Sequence, residues 1–591
     1  MTGASGRTGF ELLERDGLAR IGRLATPHGP IETPALLPVV HPDPARQTIP
    51  PEAMRRRFGL GAVITSAYIA WRTPELKSRA EAEGIHGLLA FDGPVMTDSG
   101  AFQQHAYGSV EVTPEEIGGF QRRIGSDIAT VLDRFVEPDA PRAVAEEGVR
   151  ETLARARAAR PLRAGLLAVP VQGGLFPDLR AESAAGASEV GDVLAVGGVV
   201  PLLEQYRFAD LARLLAACRP SLAPERAVHL FGTGHPISFA FAALFGVDLF
   251  DSSAYHKFAR RGRVLLPTGT IAIDRVREPI CRCALCAELP LRDVARLPAP
   301  ERERRLAEHN LLACAAEVAE VRQAIRDGTL WELAERRASG HPGLLAGLRA
   351  VVRSARVFLP TEPESRPGFR VAGATSGLRP GVIRFLARVA RWKEGRPDAE
   401  AIAPCPMVPS VLRRLPTDTP AGGERAFDAV TPFGAIPLEL TELYPLGGYV
   451  GPEEFSGDPA PGDRAPLESV DDAEAARRLD VWTHRHVRGL FAWLYGRAEG
   501  EAVARLPWTA ERSRRTGRLR ALREDGRPAF LISPDGLPRP TFLGARRLRE
   551  TLPFPRARIV VDADAAPFVA EGRSLFSRFV AGGDSGLLPG S

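Results

Sequence analysis

Cys281, Cys283 and Cys286 stand in the run Cys-Arg-Cys-Ala-Leu-Cys, and His309 follows in an apolar helical stretch. Three thiolates and an imidazole are a usual shell for tetrahedral zinc. Only six cysteines occur in 591 residues, and three of them fall within six positions, so chance clustering is a poor account. Four ligands leave no open coordination position. The expected role is therefore structural, and the chemistry must lie elsewhere.

A second group of polar residues has a pattern of its own. Asp98, Asp133, Gln172, Gly197–Gly198, Gly232 and Asp251 each fall at or just past the C-terminal end of a short apolar run. One such Asp is usually a turn or a helix cap, but the recurrence suggests a shared site. Two carboxylates, Asp251 and Asp98, suit a double displacement at a sugar carbon, where one attacks and the other handles protons. Phe102 and Phe231 could hold a flat heteroaromatic ring, with Asp133, Gln172 and the backbone at Gly198 along its edge. From spacing alone, core packing is the simpler role for each Phe. No P-loop or His-Ser pair competes.

These residues need a frame that brings strand ends together. Eight apolar runs recur along the first 250 residues or so: ALLPVV (35–40), GAVITSAYI (61–69), PVMTD (94–98), DIATVLD (127–133), LLAVPVQGG (166–174), VLAVGGVV (193–200), AVHLFGTG (227–234) and VDLFD (247–251). Amphipathic segments such as 141–159 and 208–218 read as helices between them. Eight strands, most followed by a helix, are what a (β/α)8 TIM barrel requires, and its active groups gather at the C-terminal mouth. A doubly wound open sheet is the alternative, but no G-x-G-x-x-G follows the first strand.

Composition sets the outer bounds. A chain of this length predicts about three to five domains. Hydrophobic residues make up 44% and charged residues 25%, as in an ordinary soluble protein. No apolar run approaches a membrane span, and the N-terminus has no signal-peptide core, so a cytoplasmic protein without membrane partners is expected. The formal charge is only +5, but Arg512, Arg514, Arg515, Arg518, Arg520 and Arg523 crowd one stretch. Such a cluster binds phosphates or simply solvates a surface.

Taken together, MTDSGAFQ, QRRIGSDI, VQGG, AVGGVVPLLEQYRF, HLFGTGHP, DLFDSSAY and the C-x-C-x2-C…H cluster resemble the tRNA-guanine transglycosylase family. IETPALLPVVHP, GGVVPLLEQYRF and DLFDSSAYHKFA are most similar to its archaeal-type branch. The dense part of the resemblance covers roughly residues 10–345. It implies that Asp251 is the nucleophile at the ribose anomeric carbon and that Asp98 is the general base toward the incoming base. It implies base recognition by Asp133, Gln172, Gly198 and Val199, and a ring held between Phe102 and Phe231. One structural zinc per subunit on Cys281, Cys283, Cys286 and His309 belongs to the same expectation. So do tRNA as partner, 7-cyano-7-deazaguanine as incoming base, guanine 15 of the D-loop as target, an archaeosine precursor as product, and a homodimer. Arg260, Arg261 and Arg263 lie just past the nucleophile, where they could reach flanking phosphates.

The expected domains are a catalytic barrel at 1–345, with the zinc subdomain at about 278–315, and accessory modules at 346–425 and 426–555. Residues 556–591 resemble the opening of a PUA domain, an RNA-binding β-barrel. That tail is too short for a whole PUA domain, so an incomplete module with open strand edges and poor order is expected. VLDRFVEPD departs from the PTPP-containing segment of archaeal relatives, and Arg134 and Phe135 either alter the base pocket or repack a loop. Competing readings are a paralogue acting on DNA, an archaeosine synthase and a non-catalytic tRNA-binding subunit. Retention of Asp98 and Asp251 argues against the last two.

Overall fold

A computed structural model describes residues 9–101, 112–162, 164–351, 355–366, 368–371, 373, 375–394, 399–402, 412–415, 425–447, 449–450 and 468–587. The chain forms two compact units, Met1–Phe358 and Leu359–Ser591.

The first unit begins with an antiparallel sheet of β1 (Phe10–Asp16), β2 (Ala19–Thr26) and β3 (Gly29–Thr33), which the sequence reading did not anticipate. Eight parallel strands then close into a barrel. They are β4 (Ala35–Val40), β5 (Val63–Ser66), β6 (Val95–Asp98), β7 (Ile128–Thr130), β8 (Leu166–Val171), β9 (Val193–Val196), β10 (Ala227–Leu230) and β11 (Leu249–Ser252). All eight expected runs supply a strand, and β11 pairs with β4 to complete the ring. Most strands are shorter than the apolar runs that carry them. After β5 the chain turns directly into the helix Ala67–Arg72, where Ser66 Oγ accepts from the Ile69 N–H at 3.3 Å. A Ser N-cap stops the strand inside an apolar run.

The barrel is filled, not hollow. Leu37, Ile64, Met96, Ile128, Leu166, Ala168, Val193, Ala227 and Leu249 form one buried cluster with Leu24 and Ile31 of the first sheet. Leu24 and Ile31 thereby plug the barrel where its strands begin. Each fully buried Leu or Ile there contributes about 1.5–3 kcal/mol.

Three aspartates on that floor immediately precede strands. Asp127 Oδ2 accepts from the Val95 N–H at 2.8 Å, Asp192 Oδ2 from Leu167 at 3.0 Å, and Asp248 Oδ2 from Val228 at 2.7 Å. Each carboxylate thus holds the start of the preceding strand. Asp127 also accepts from the His28 N–H and pairs with the rings of His28 and His86, both at 2.9 Å. Asp248 pairs with Arg20, and both side chains are fully buried.

Past the barrel, β12 (Arg263–Leu266) and β13 (Gly269–Ala272) form a hairpin, and the long helix Ala299–Arg326 packs on it and on the helix Ala254–Arg260.

The second unit is α+β. β14 (Phe369–Arg370) pairs with β18 (Tyr449–Val450), and β15 (Ala399–Ile402), β16 (Ala426–Thr431) and β17 (Gly434–Pro437) form a three-stranded sheet. β19 (Thr509–Arg512), β20 (Leu519–Glu524), β21 (Arg527–Ile532) and β22 (Pro538–Pro540) form an antiparallel sheet in sequence order. Leu490 and Phe491 of the helix Asp472–Tyr495 share a core with Leu522 and Phe530. In the tail, β23 (Ile559–Val561) pairs antiparallel with β24 (Val580–Gly583). The two tail strands therefore satisfy each other along one edge. Among the described residues, no helix is long and apolar enough to cross a membrane.

Candidate active site

Side chains alternate between the two faces of a strand. Leu249, Ala227, Met96 and Ile64 face the barrel interior. Two residues further on, Asp251, His229, Asp98 and Ser66 occupy the next inward layer, at the C-terminal mouth. The strand-end pattern in the sequence thus becomes one site.

Asp251 is held tightly. Its Oδ1 lies 3.0 Å from His229 Nε2 and accepts from the Gly232 N–H at 2.8 Å. Among the described residues, no donor reaches Oδ2. His229 has no solvent exposure, and its ring packs 4.7 Å from that of Phe231. Gly232 has φ +69°, and a Cβ there would lie 2.4 Å from Val200 Cγ2. The turn that delivers this N–H therefore requires glycine.

Asp98 closes β6 opposite Ser66 of β5 and is partly exposed to the mouth. The residues around it are pinned: Thr97 Oγ1 donates to Gln121 Oε1 at 2.7 Å and Ser99 Oγ to the Val131 carbonyl at 3.1 Å. Phe102, the expected ring partner, lies outside the described residues. Phe231 follows β10 directly and is half-buried against the barrel interior.

The expected recognition residues do converge. Asp133 and Gln172 are both buried, and Gln172 Nε2 donates to Asp133 Oδ2. Burial raises Asp133 to about 6, although the Gln172 hydrogen bond acts the other way. Gln172 Oε1 is buried and has no hydrogen-bond partner among the described residues. Gly197 and Gly198 close the wall: a Cβ on Gly197 would lie 2.8 Å from Gln172 Nε2, and one on Gly198 would lie 2.7 Å from the Val136 carbonyl. Val199 is fully buried behind them. A buried orphan acceptor beside a buried carboxylate is a polar edge waiting for N–H donors.

Sequence reasoning missed two residues here. His229 sat inside an apolar strand, and its only signal was the two-residue spacing to Ala227. Arg180 is fully buried behind the wall and donates to the carbonyls of Val171, Gly174 and Gly197. It staples the loop of Gln172 to that of Gly198. A lone Arg on a helix carries no sequence signal of this role.

The unusual Arg134 points away from the wall. It pairs with Glu151 at 2.9 Å and Glu147 at 3.0 Å on the helix Arg142–Ala159. It anchors the loop and leaves the pocket edge to Asp133. Arg260 and Arg261 are exposed at the C-terminal end of the helix that follows Asp251. Arg263 is instead tied to Thr270 across the β12–β13 hairpin.

The Cys–His group assembles as expected. The ligand atoms of Cys281, Cys283, Cys286 and His309 all lie within 4.8 Å of one another. His309 Nδ1 faces the sulfurs, 3.2 Å from Cys286 Sγ, while Nε2 meets the Leu265 carbonyl at 3.2 Å. With Nε2–H donated to a carbonyl, Nδ1 keeps its lone pair for a metal. Hydrogen bonding with Cys286 pulls Cys283 down to about 3 and His309 draws Cys281 below its ordinary range, while the same Cys283 contact and burial push Cys286 up. The four side chains could hold a metal ion, and a donor set of three sulfurs and one nitrogen suits zinc. The neighbouring Asn310 accepts from the Leu265 N–H and donates to the Tyr255 and Arg263 carbonyls. The helix bearing His309 is thereby bound to the segment just past Asp251.

Comparison with known proteins points to one family. The family model described as queuine tRNA-ribosyltransferase matches residues 16–343. The tRNA-guanine(15) transglycosylase of Thermococcus kodakarensis is 36% identical over 583 residues, covering 98% of this chain and 92% of that protein. The enzyme of the same name from Methanocaldococcus jannaschii is also 36% identical and covers 98% of this chain and 93% of its own length. That from Methanosarcina barkeri is 42% identical over 75% of this chain and 87% of its own length. A closed parallel barrel with carboxylates at its mouth, matched over most of its length by these enzymes, belongs to the tRNA-guanine transglycosylase family in its archaeal type and is a tRNA ribosyltransferase.

Proposed function

We propose that this enzyme exchanges guanine 15 in the D-loop of tRNA for 7-cyano-7-deazaguanine, giving the precursor of archaeosine. The observation that carries this reading is the placement of two inward carboxylates, Asp98 and Asp251, on one barrel mouth beside the buried Asp133–Gln172 edge. The relatives' printed name, tRNA-guanine(15) transglycosylase, supports the target position.

Asp251 attacks the ribose anomeric carbon. A C1′–O bond forms as the C1′–N9 bond breaks, and the electron pair leaves with guanine, which takes up a proton. Asp98 then removes the N9 proton of the incoming base. That nitrogen attacks C1′, the ester to Asp251 breaks, and its electron pair returns to the carboxylate. Two inversions retain the starting configuration, and no nucleotide hydrolysis is needed because the glycosyl ester conserves the bond. Asp133, Gln172, Gly198 and Val199 read the polar edge of the base, with Phe102 and Phe231 on its faces. Cys281, Cys283, Cys286 and His309 would hold a structural zinc, which would tie the insertion to the segment just past Asp251. Arg260 and Arg261 serve flanking phosphates, with Arg263 acting through the hairpin it braces. The modules at 346–425 and 426–555 and the PUA-like tail extend the tRNA contact, and the enzyme works in the cytoplasm as a homodimer.

The deciding experiment offers the purified protein labelled guanine or 7-cyano-7-deazaguanine with tRNA and, separately, with duplex DNA. Incorporation mapped to position 15 of tRNA, lost in Asp251→Ala, supports the reading. Incorporation into DNA alone, or none at all, overturns it.

A further inference from the structure

We infer that His229 is a positioning residue for Asp251. Together with the Gly232 N–H it ties down Oδ1 and so selects Oδ2 as the attacking oxygen. This rests on the reading of Asp251 as nucleophile.

The direction of the hydrogen bond follows from the contacts. An ionised carboxylate only accepts hydrogen bonds, so His229 Nε2, 3.0 Å from Asp251 Oδ1, carries the hydrogen. Nδ1 is buried without a partner among the described residues. A second N–H there would be an unpaired buried donor on a charged ring, which costs far more than an unused lone pair. His229 therefore acts as a fixed hydrogen-bond donor through Nε2.

Packing alone does not explain this side chain. The inward residues one layer below it are apolar, including Ala227 and Leu249. A buried imidazole with one orphan nitrogen is a costly substitute unless its other nitrogen is put to use. The strand pairing supplies that use: β10 lies beside β11, with His229 opposite Leu249, so its ring reaches along the mouth to Asp251.

Two donors on one oxygen make the two carboxylate oxygens inequivalent. Attack through Oδ2 forms the C1′–Oδ2 bond, and Oδ1 becomes the carbonyl oxygen of the ester without losing either donor. In the return step C1′–Oδ2 breaks and the electron pair goes back to the carboxylate. His229 and the Gly232 N–H then meet the charge that returns to Oδ1. Preorganised donors of this kind stabilise developing charge at no cost of rearrangement.

The test uses the full chain, a tRNA transcript and labelled guanine. It measures kcat and KM for tRNA, and the rate at which a denaturant-resistant protein–RNA adduct forms in a single turnover. In His229→Leu both kcat and the adduct rate should fall about 10- to 100-fold, with little change in KM. His229→Gln, whose amide nitrogen reaches a similar distance, should recover most of that loss, while the shorter His229→Asn should not. Wild-type kcat in His229→Leu overturns the proposal. So do equal rates in the Gln and Asn variants, a comparison that decides the matter even if the Leu variant does not fold. An adduct that still forms in Asp251→Ala overturns the nucleophile assignment itself, whereas a missing His229 effect alongside an Asp251-dependent adduct overturns only the positioning role.

Discussion

Gln172 Nε2 donates to Asp133 Oδ2 at 2.5 Å, between two side chains that are both buried in the wall of the barrel mouth. This contact consumes one amide hydrogen and one carboxylate oxygen. It leaves Gln172 Oε1 without a partner among the described residues, and it acts against the burial that raises the Asp133 carboxyl. The two side chains thus act as a pair, each fixing which atom the other presents.

Asp133 should give base binding a pH dependence. Burial lifts it to about 6, so the ionised acceptor prevails only above that pH. KM for the incoming base should fall as pH rises from about 5 to about 7 and then level off. Asp133→Asn should raise KM and abolish the trend. In the ligand-free enzyme the sign for stability is opposite to that of a salt-bridged carboxylate. The folded state holds the proton more tightly than the unfolded one, so this group's contribution declines as pH rises from about 4 to about 6. Equal pH slopes in wild type and Asp133→Asn would refute both statements.

Asp127 should do the reverse. Burial alone would raise it, but hydrogen bonds from His86, the Val95 N–H and His28 hold it below the ordinary carboxylate range. Its stabilisation is present above the unfolded pKa and is lost as pH falls through the lower folded one. Asp127→Asn should cost about 2–4 kcal/mol in denaturant unfolding at neutral pH and flatten the acid limb of the stability curve. A variant as stable as wild type would show that the floor does not depend on this carboxylate.

Cys283→Ser should lower metal affinity at least about tenfold and reduce thermal stability, while leaving single-turnover chemistry on saturating tRNA less affected than tRNA binding. Metal content by atomic emission, thermal melts and binding isotherms separate these effects. A variant that keeps its metal and its melting temperature would remove Cys283 from the ligand set.

The arginines around 512–523 divide into two kinds. Arg512 is committed inside the second unit to Glu442 at 3.1 Å and to Thr483 Oγ1 at 3.0 Å, and Arg523 to Glu511 at 2.8 Å. Arg514, Arg515 and Arg518 have no carboxylate within ion-pair reach among the described residues. Charge reversal at Arg514 and Arg515 should weaken tRNA binding and reduce its salt slope by about 0.7–0.9 per lost phosphate contact. Arg512→Glu should instead destabilise the fold. An unchanged salt slope at Arg514 and Arg515 would mark them as solvated surface.

Much of this could be read from residue spacing, because barrel geometry turns position along a strand into position in space. DIATVLD begins and ends with Asp, and VDLFD carries Asp at its second and last positions; the early and late Asp of each run lie at opposite ends of the barrel. Asp127 and Asp248 lock the floor, while Asp133 and Asp251 line the mouth. The Cys–His group was legible because three of the six cysteines fall within six positions. His229, Arg180 and Asn310 were not legible. Each works through contacts that spacing does not announce, from 6 to 55 positions away, and each sits in a segment whose pattern is accounted for by packing. The first sheet was missed because its outer strand is almost wholly exposed and carries no alternation to read.

The three aspartates of the barrel floor also bear on how the chain finds its fold. They join residues 32, 25 and 20 positions apart, each within a single strand–helix–strand unit. Such short loops close early and at low entropic cost. The Arg20–Asp248 pair, by contrast, joins residues 228 positions apart and closes a far longer loop. The floor therefore favours assembly by successive strand pairs, with closure onto Arg20 as the last event. Substitution of Arg20 should then speed unfolding far more than it slows folding.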